Sequence, residues 1–374
     1  MKVNRNRGEG KNKIVLAGGH AATTALATVE ELIRDEKWDI YWIGAGKAME
    51  GKDVPTLESK IFPKIGIKSY KIISGRLQRK LTFWTLPSII KIPFGFFHAM
   101  ILLLKIRPKV ILSFGGFAAF PVVVVGFFLR IPIVVHEQTS AAGRSNIFSA
   151  KFAKKIALSR KSSQKYFAES KSRLVGNPVM TQIAEIKPKE KIGKPPTVLI
   201  VGGSRGSQTI NEAVLETLDK LVERYNVIHQ TGFIDFEKIK EARDSLSKEF
   251  KEKYEIYKMI EPMDMDGVYK RADIVVSRAG ANTVSEIIAA KIPTILIPIP
   301  WVYENEQTKN AEYAEEFGVA RILNQKSLSG KALFLAIKGI EKDWFRIVES
   351  VKNKKSPDIN AAKRLVNLLE DVVK

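Results

Sequence analysis

Residues 271–310, RADIVVSRAGANTVSEIIAAKIPTILIPIPWVYENEQTKN, carry the pattern that most restricts the fold. They read as a strand (Asp273–Ser277), a Gly-containing turn (Ala279–Ala281), a helix (Asn282–Ala290), a second strand (Thr294–Pro298) and a polar loop (Tyr303–Asn310). Strand, helix, strand in this order builds a parallel sheet with a crossover helix. Ligands of such sheets sit beyond the carboxyl ends of the strands, and two ends lie here, one helix apart. The first helical turn offers N–H groups suited to a phosphate or a sugar edge. Glu286 stands one turn further in, where a carboxylate can hold two ribose hydroxyls. A second reading is open on the same residues. Thr283-x-x-Glu286 is also a capping box, which satisfies the helix start with no ligand.

The pattern recurs along the 374 residues, a length sufficient for two cores. Before residue 180 the expected strands are Lys13–Ala17, Ile40–Ile43, Val110–Phe114, Ile131–Val135 and Lys155–Leu158. Several are unbroken Val/Ile/Leu runs, as expected of strands covered on both faces. After residue 196 the strands restart at Thr197–Val201, Val227–Gln230, Asp273–Ser277 and Thr294–Pro298, with a charged helix at Glu237–Lys251. The expected organisation is a basic arm (1–13), an N-terminal Rossmann-like domain (14–180), a charged, Pro-containing linker (181–196), a second Rossmann-like domain (197–342) and a helical tail (343–374).

There is no cysteine, which excludes a disulfide framework, a thiolate metal site and a cysteine nucleophile. Four histidines make a His-rich metal site a poor reading. The net charge of +21 calls for anionic partners. Between Ser59 and His136 there is no acidic residue, while twelve Lys and Arg surround the most apolar stretch, Phe83–Leu104. Lys91, Pro93 and His98 interrupt that stretch, so it reads as lying on an anionic membrane surface rather than spanning it. No signal peptide is expected from the polar, basic first residues. Nucleic acid is not expected, since no helix-turn-helix, RNP-like or zinc pattern is present.

Three Gly-bearing loops follow strands: Ala17–Leu32, Ser113–Gly126 and Val201–Val214. In the first, Gly18 and Gly19 permit close backbone approach and His20 is the best general-base candidate, with a helix-capping role as the alternative. In the third, Gly202, Gly203 and Gly206 free the backbone to wrap an anion. Ile43–Gly51 is not a dinucleotide fingerprint, because Met49 holds the third glycine position, and it lacks Walker spacing. Asp264–Met265–Asp266 precedes a helix, where acids complement the dipole, so no metal site is assigned there.

Six motifs then occur in register: HEQ (His136–Gln138), GNPV (Gly176–Val179), VGGSRG (Val201–Gly206), HQTG (His229–Gly232), TVSE (Thr283–Glu286) and EQxxNA (Glu306–Ala311). Over Ile14 to about Leu323 the sequence resembles the family of peptidoglycan glycosyltransferases that add N-acetylglucosamine to undecaprenyl-diphosphate-linked N-acetylmuramoyl peptide. The resemblance implies an α/β fold of GT-B type, with two Rossmann-like domains. It implies UDP-N-acetylglucosamine as donor, held mainly by the second domain: the backbone of Ile260 at uracil, Glu286 at the ribose, Ser204 at the diphosphate and Gln307 at the sugar. Ala281, Asn282, Thr283, Val284 and Ser285 would form the helix start beside the nucleotide. Gly18, Gly19 and Thr139 would complete the donor set, and His20, Glu137 and Asn211 the catalytic set. No metal and no cofactor is implied. The reaction would be inverting, the acceptor 4-hydroxyl attacking C1 as UDP leaves. The resemblance further implies a peripheral protein on the cytoplasmic face of the cell membrane, working in cell-wall synthesis and so in cell shape and division.

Four positions depart from the family pattern. The first loop reads VLAGGH in place of GGTGGH, Thr139 replaces an Asn after HEQ, Met180 replaces an Arg after GNPV, and Phe117 replaces a Tyr. The alternatives are another GT-B transferase acting on a glycolipid, a UDP-N-acetylglucosamine 2-epimerase-like isomerase, and a non-catalytic module that recruits a partner to the membrane.

Overall fold

Unbroken apolar runs become the inner strands of two parallel sheets. The computed structural model describes residues 10–19, 21–49, 52–73, 75, 85–203 and 206–374. By its internal contacts the chain forms two units, one running to Met180 and taking back Pro357–Lys374, the other Thr181–Ser356.

The first unit contains β1 (Asn12–Gly18), α1 (Ala22–Arg34), β2 (Trp38–Gly44), a short antiparallel pair β3 (Lys47–Met49) and β4 (Lys52–Pro55), α2 (Leu57–Lys64) and β5 (Lys68–Lys71). It continues with α3 (Thr85–Ile106), β6 (Val110–Ser113), α4 (Ala119–Phe128), β7 (Ile133–Glu137), α5 (Arg144–Ala150), β8 (Lys155–Leu158) and β9 (Ser172–Leu174). Its sheet has the order β5-β2-β1-β6-β7-β8-β9. The order reverses at β1/β6, where crossovers turn to opposite sides and leave a crevice at the strand ends. Val15, Ile43, Ile111 and Val135 of the sheet share one core with Leu103 and Ile106 of α3 and Val123 of α4.

The second unit runs α6 (Thr181–Ala184), β10 (Thr197–Val201), α7 (Gln208–Leu215), α8 (Leu218–Arg224), β11 (Asn226–Gln230), α9 (Phe236–Asp244), α10 (Lys248–Glu252) and β12 (Tyr254–Tyr257). Then follow α11 (Met265–Arg271), β13 (Ile274–Ser277), α12 (Ala281–Ala290), β14 (Thr294–Leu296), α13 (Glu306–Phe317), β15 (Ala320–Ile322) and α14 (Gly330–Val351). Its order is β12-β11-β10-β13-β14-β15, reversing at β10/β13. Last in the chain, α15 (Ala361–Val373) belongs to the first unit and packs on α1.

Several expectations change. The charged helix at Glu237–Lys251 is two helices: the first ends at Asp244 with Ser245 as its C-cap, and Ser247 caps the second by accepting Phe250 N–H at 3.4 Å. Residues 181–196 are docked on the second unit: Ile183 is buried, and Lys189 Nζ bonds Asp273 Oδ1 at 2.8 Å. The expected boundary at 342/343 falls inside α14, whose Leu333, Ile337, Ile340, Trp344 and Ile347 form one continuous apolar stripe on the core. The end of the tail is fixed in the first unit by a buried fork. Arg160 Nη1 and Nη2 each bond one oxygen of Asp358 at 2.7 Å, and Asn177 N–H donates to Asp358 Oδ1 at 2.8 Å.

Among the described residues, no helix is long and apolar enough to cross a membrane. Part of the expected stretch Phe83–Leu104 forms α3, and Phe83 lies outside the described residues. On α3 the buried side chains Ala99, Leu102, Leu103 and Ile106 oppose an outward row of Phe94, Phe97, Ile101 and Leu104. Phe127 and Phe128 at the end of α4 are exposed as well.

Candidate active site

In the second unit, the reversal of strand order places the ends of β10 and β13 beside each other, and α7 and α12 start from them. The start of α12 decides between the two readings of TVSE. The helix begins at Ala281 with Gly280 as N-cap, and no side chain caps it. Thr283 is therefore the third helical residue rather than the cap, and Glu286 is a further turn in, too far along to fold back on the cap amide. The capping-box reading is overturned. Glu286 is 7% exposed, and its hydrogen-bond partner among the described residues is the Tyr269 hydroxyl, which donates to Oε2 at 3.0 Å. Burial raises its pKa to about 7, against the Tyr269 bond that favours the ionised form. Ser285 Oγ donates back to the Ala281 carbonyl at 3.0 Å, so it stiffens the first turn.

The loop after β10 is drawn tight. Gly206 has φ +78°, and a Cβ there would run into the Thr231 carbonyl, so only glycine fits. Ser207 caps α7, accepting the Ile210 N–H at 3.4 Å. Ser204 and Arg205 lie outside the described residues. Beneath the loop is a residue that the sequence reading passed over. Arg278, the residue after β13, is 8% exposed and donates from Nε to Ser207 Oγ and from Nη1 to the Ile297 carbonyl, both at 3.0 Å. No carboxylate pairs with it among the described residues, and desolvation lowers its pKa to about 10. A buried cation without a counter-charge is unfavourable in the empty protein and favourable once an anion arrives. The sequence signal was a basic residue directly after a buried strand at the ligand edge.

Ile260 N–H donates to Gln230 Oε1 at 2.9 Å, so that amide is already engaged. Gln307 Oε1 accepts the Ile299 N–H at 3.1 Å, at the start of α13. Glu304 and Asn305, which lead into that helix, both have left-handed backbones (φ 55° and 52°). Such strain gathers at ligand loops.

Asn211 had been expected at the reacting centre and is instead a framework residue. It is 2% exposed; Nδ2 donates to the Thr231 carbonyl at 2.8 Å and to Asp235 Oδ2 at 2.7 Å. With both amide protons spent, Oδ1 accepts from His229 Nε2–H at 3.0 Å, and His229 Nδ1 accepts from the Tyr254 hydroxyl at 2.8 Å. This holds His229 as the neutral imidazole, consistent with burial lowering its pKa to about 3.

In the first unit His20 lies outside the described residues. Gly18 ends β1, next to Gly19, and Ala21 N–H, at the head of α1, donates to Glu58 Oε1 at 2.7 Å. Glu137 was expected to be catalytic, but both of its oxygens are spent on the turn that follows β7. Oε1 accepts from Thr139 N–H at 3.0 Å and Thr139 Oγ1 at 2.9 Å; Oε2 accepts from Gly143 N–H at 3.0 Å and Asn146 Nδ2 at 2.9 Å. Desolvation pushes its pKa up in spite of these four bonds. Glu137 is thus an organiser of residues 137–146, and Thr139 is one of its partners. His136, also buried, meets the Gly176 carbonyl at 3.1 Å. Met180, where the family pattern has Arg, is 3% exposed.

Asp266 pairs with Lys270 at 2.6 Å. Among the described residues no group of three or more His, Asp or Glu side chains is placed to hold a metal ion.

Comparison with known proteins also divides the chain in two. The glycosyltransferase family 28 N-terminal domain matches residues 17–158 and its C-terminal domain residues 197–365. A UDP-N-acetylglucosamine–N-acetylmuramyl-(pentapeptide) pyrophosphoryl-undecaprenol N-acetylglucosamine transferase from Pediococcus pentosaceus is 35% identical over 366 residues, covering 96% of this chain and 97% of the relative. Its namesake from Halalkalibacterium halodurans is 32% identical over 379 residues, covering 97% and 100%. Among solved structures, Acinetobacter baumannii MurG superposes with a TM-score of 0.69 at 24% identity, covering 96% of this chain and 99% of that one. A UDP-GlcNAc 2-epimerase from Neisseria meningitidis gives 0.66 at 13%, covering 96% and 100%. At such identities the structures speak for the fold alone, a two-domain Rossmann-like GT-B architecture. Two domain matches in order and relatives of above 30% identity over nearly the whole chain settle the family: this chain belongs to glycosyltransferase family 28 and is a glycosyltransferase.

Proposed function

We propose that the chain transfers N-acetylglucosamine from UDP-N-acetylglucosamine to the 4-hydroxyl of lipid-linked N-acetylmuramoyl peptide. The observation that carries the reading is the start of α12, which no side chain caps, with Glu286 buried one turn in and Arg278 buried, among the described residues, without a carboxylate partner. In this reading Glu286 accepts from the ribose hydroxyls. Ala281, Asn282, Thr283, Val284 and Ser285 form the helix start facing the nucleotide, and the loop with Ser204 receives the diphosphate. Ile260 meets the base and Gln307 the sugar. Negative charge grows on the diphosphate as the sugar–oxygen bond breaks, and the N–H groups at the heads of α7 and α12, together with Arg278, favour that charge. The displacement is direct, so configuration at C1 inverts. His20 is assigned as the base that takes the acceptor proton. Gly18 and Gly19 keep the backbone low beside it, and Thr139 and Glu137 shape the facing turn.

The same reading makes the protein peripheral on the cytoplasmic leaflet, whose anionic lipids attract Lys and Arg. Support comes from the outward Phe94, Phe97, Ile101 and Leu104 of α3 and the neighbouring Phe127 and Phe128, set in a segment without acidic side chains.

The test is transfer of radiolabelled N-acetylglucosamine to a lipid-linked muramoyl acceptor, with and without chelator. Transfer retained under chelator supports the reading. Epimerised UDP-sugar without transfer would replace it by the isomerase, and loss under chelator would overturn metal independence.

A further inference from the structure

We propose that Gln230 is a positioning residue that fixes the spacing between the base end and the diphosphate end of the donor site. The inference rests on the assignment of Ile260 and of the 202–207 loop to the donor. Gln230 is the last residue of β11, the strand between β10 and β12. In register it stands opposite Val201 on one side and Tyr257 on the other. Those two residues lead into the two loops in question. A side chain at this position is therefore within reach of both loops, which are otherwise separated by the width of a strand.

Gln230 uses this placement. It is 5% exposed; Nε2 donates to the Gly203 carbonyl at 2.8 Å, and Oε1 accepts from Ile260 N–H at 2.9 Å. The partners fix the orientation of the amide, because a carbonyl can only accept and a backbone N–H can only donate. The position needs a donor and an acceptor on one planar group at the reach of glutamine. Glutamate at neutral pH offers no donor, asparagine is one methylene short, and an apolar side chain leaves Ile260 N–H buried and unpaired. The Gly203 carbonyl also receives Gly206 N–H at 3.0 Å, so the loop keeps its own turn without Gln230. What Gln230 adds is the tie from that turn to the base-binding segment.

The consequence is selective. A ligand that engages one end tolerates a loosened tie, whereas a ligand that spans both ends does not. Calorimetric titration of Gln230→Met with UDP and, separately, with uridine tests this without adding charge. We expect the Kd for UDP to rise about tenfold or more, that for uridine to change about threefold or less and the acceptor KM to stay near the wild type, with the melting temperature lowered by a few degrees for the unpaired Ile260 N–H. Measured against the wild type at each pH, Gln230→Glu should bind UDP weakly at pH 8 and close the gap toward pH 5, where a protonated carboxyl restores the donor, while the ratio of Gln230→Met to wild type stays constant. Equal loss for UDP and uridine, or no loss for either, would overturn the positioning role. Wild-type protein that ignores UDP would overturn the donor assignment itself.

Discussion

Replacing Glu286 by glutamine should make the protein more stable and a poorer binder. Burial raises this carboxyl from its ordinary 4.5 to about 7. The native state thus holds a proton that the unfolded chain gives up between those values, so stability falls as pH rises across that window. The difference of roughly 2.5 pH units corresponds to about 3 kcal/mol, absent below pH 4.5 and fully present above about pH 7. Glutamine cannot ionise, and its carbonyl still accepts from the Tyr269 hydroxyl. Urea titrations of both proteins should agree near pH 4.5 and separate by about 3 kcal/mol at pH 8, the variant being the more stable. Donor binding should move the other way. Hydrogen bonds to a charged group contribute about 1.5–3 kcal/mol, so the Kd for UDP at pH 8 should rise about tenfold to a hundredfold. Wild-type affinity should improve as pH rises through about 7 and then level off, while the variant shows no such step. A variant no more stable than the wild type at pH 8 would refute the burial argument. An unchanged Kd would remove Glu286 from the ribose.

Three further outcomes follow from named contacts. Glu137→Gln replaces one acceptor oxygen with a donor facing the Gly143 and Asn146 donors or the Thr139 pair, and should lower stability by about 2–4 kcal/mol in urea at pH 8; an unaltered midpoint would show that the turn does not need the carboxylate. Asp358→Ala leaves the buried Arg160 without its forked partner and should lower stability by about 3–5 kcal/mol, whereas a loss below about 1 kcal/mol would mean the guanidinium finds solvent. Phe97→Glu with Phe128→Glu should release the protein from anionic vesicles in a flotation assay, since these side chains are 67% and 71% exposed; full retention would remove the apolar face from membrane binding.

The legible parts of the sequence were those whose signal is local. The inner strands β1, β6, β10 and β13 were found because unbroken apolar runs ending in Gly-bearing turns have few other solutions. Edge strands such as β5 (KSYK) and β12 (YEIY) are short and half exposed, and they carry no such run. TVSE marked a helix that is present, and a one-dimensional reading could not say whether Glu286 belongs to a capping box. The answer depended on a helix that starts at Ala281 and on Tyr269, seventeen residues away, supplying the partner.

By itself the sequence determined two α/β units, a Gly-wrapped loop at the head of α7, an acid-free apolar segment and, through six ordered motifs, the family. Those features are periodic or contiguous, so neighbouring residues suffice to define them. Tertiary structure alone decided that Glu137 and Asn211 spend their polar atoms inside their own units, that Arg278 lies buried with no carboxylate partner among the described residues, and that α15 returns to α1. Each of these turns on which groups share a low-dielectric interior, where an unpaired hydrogen bond or charge is expensive, and the partners range from the next turn of chain, as for Glu137 and Gly143, to distant segments, as for Arg278 and Ser207.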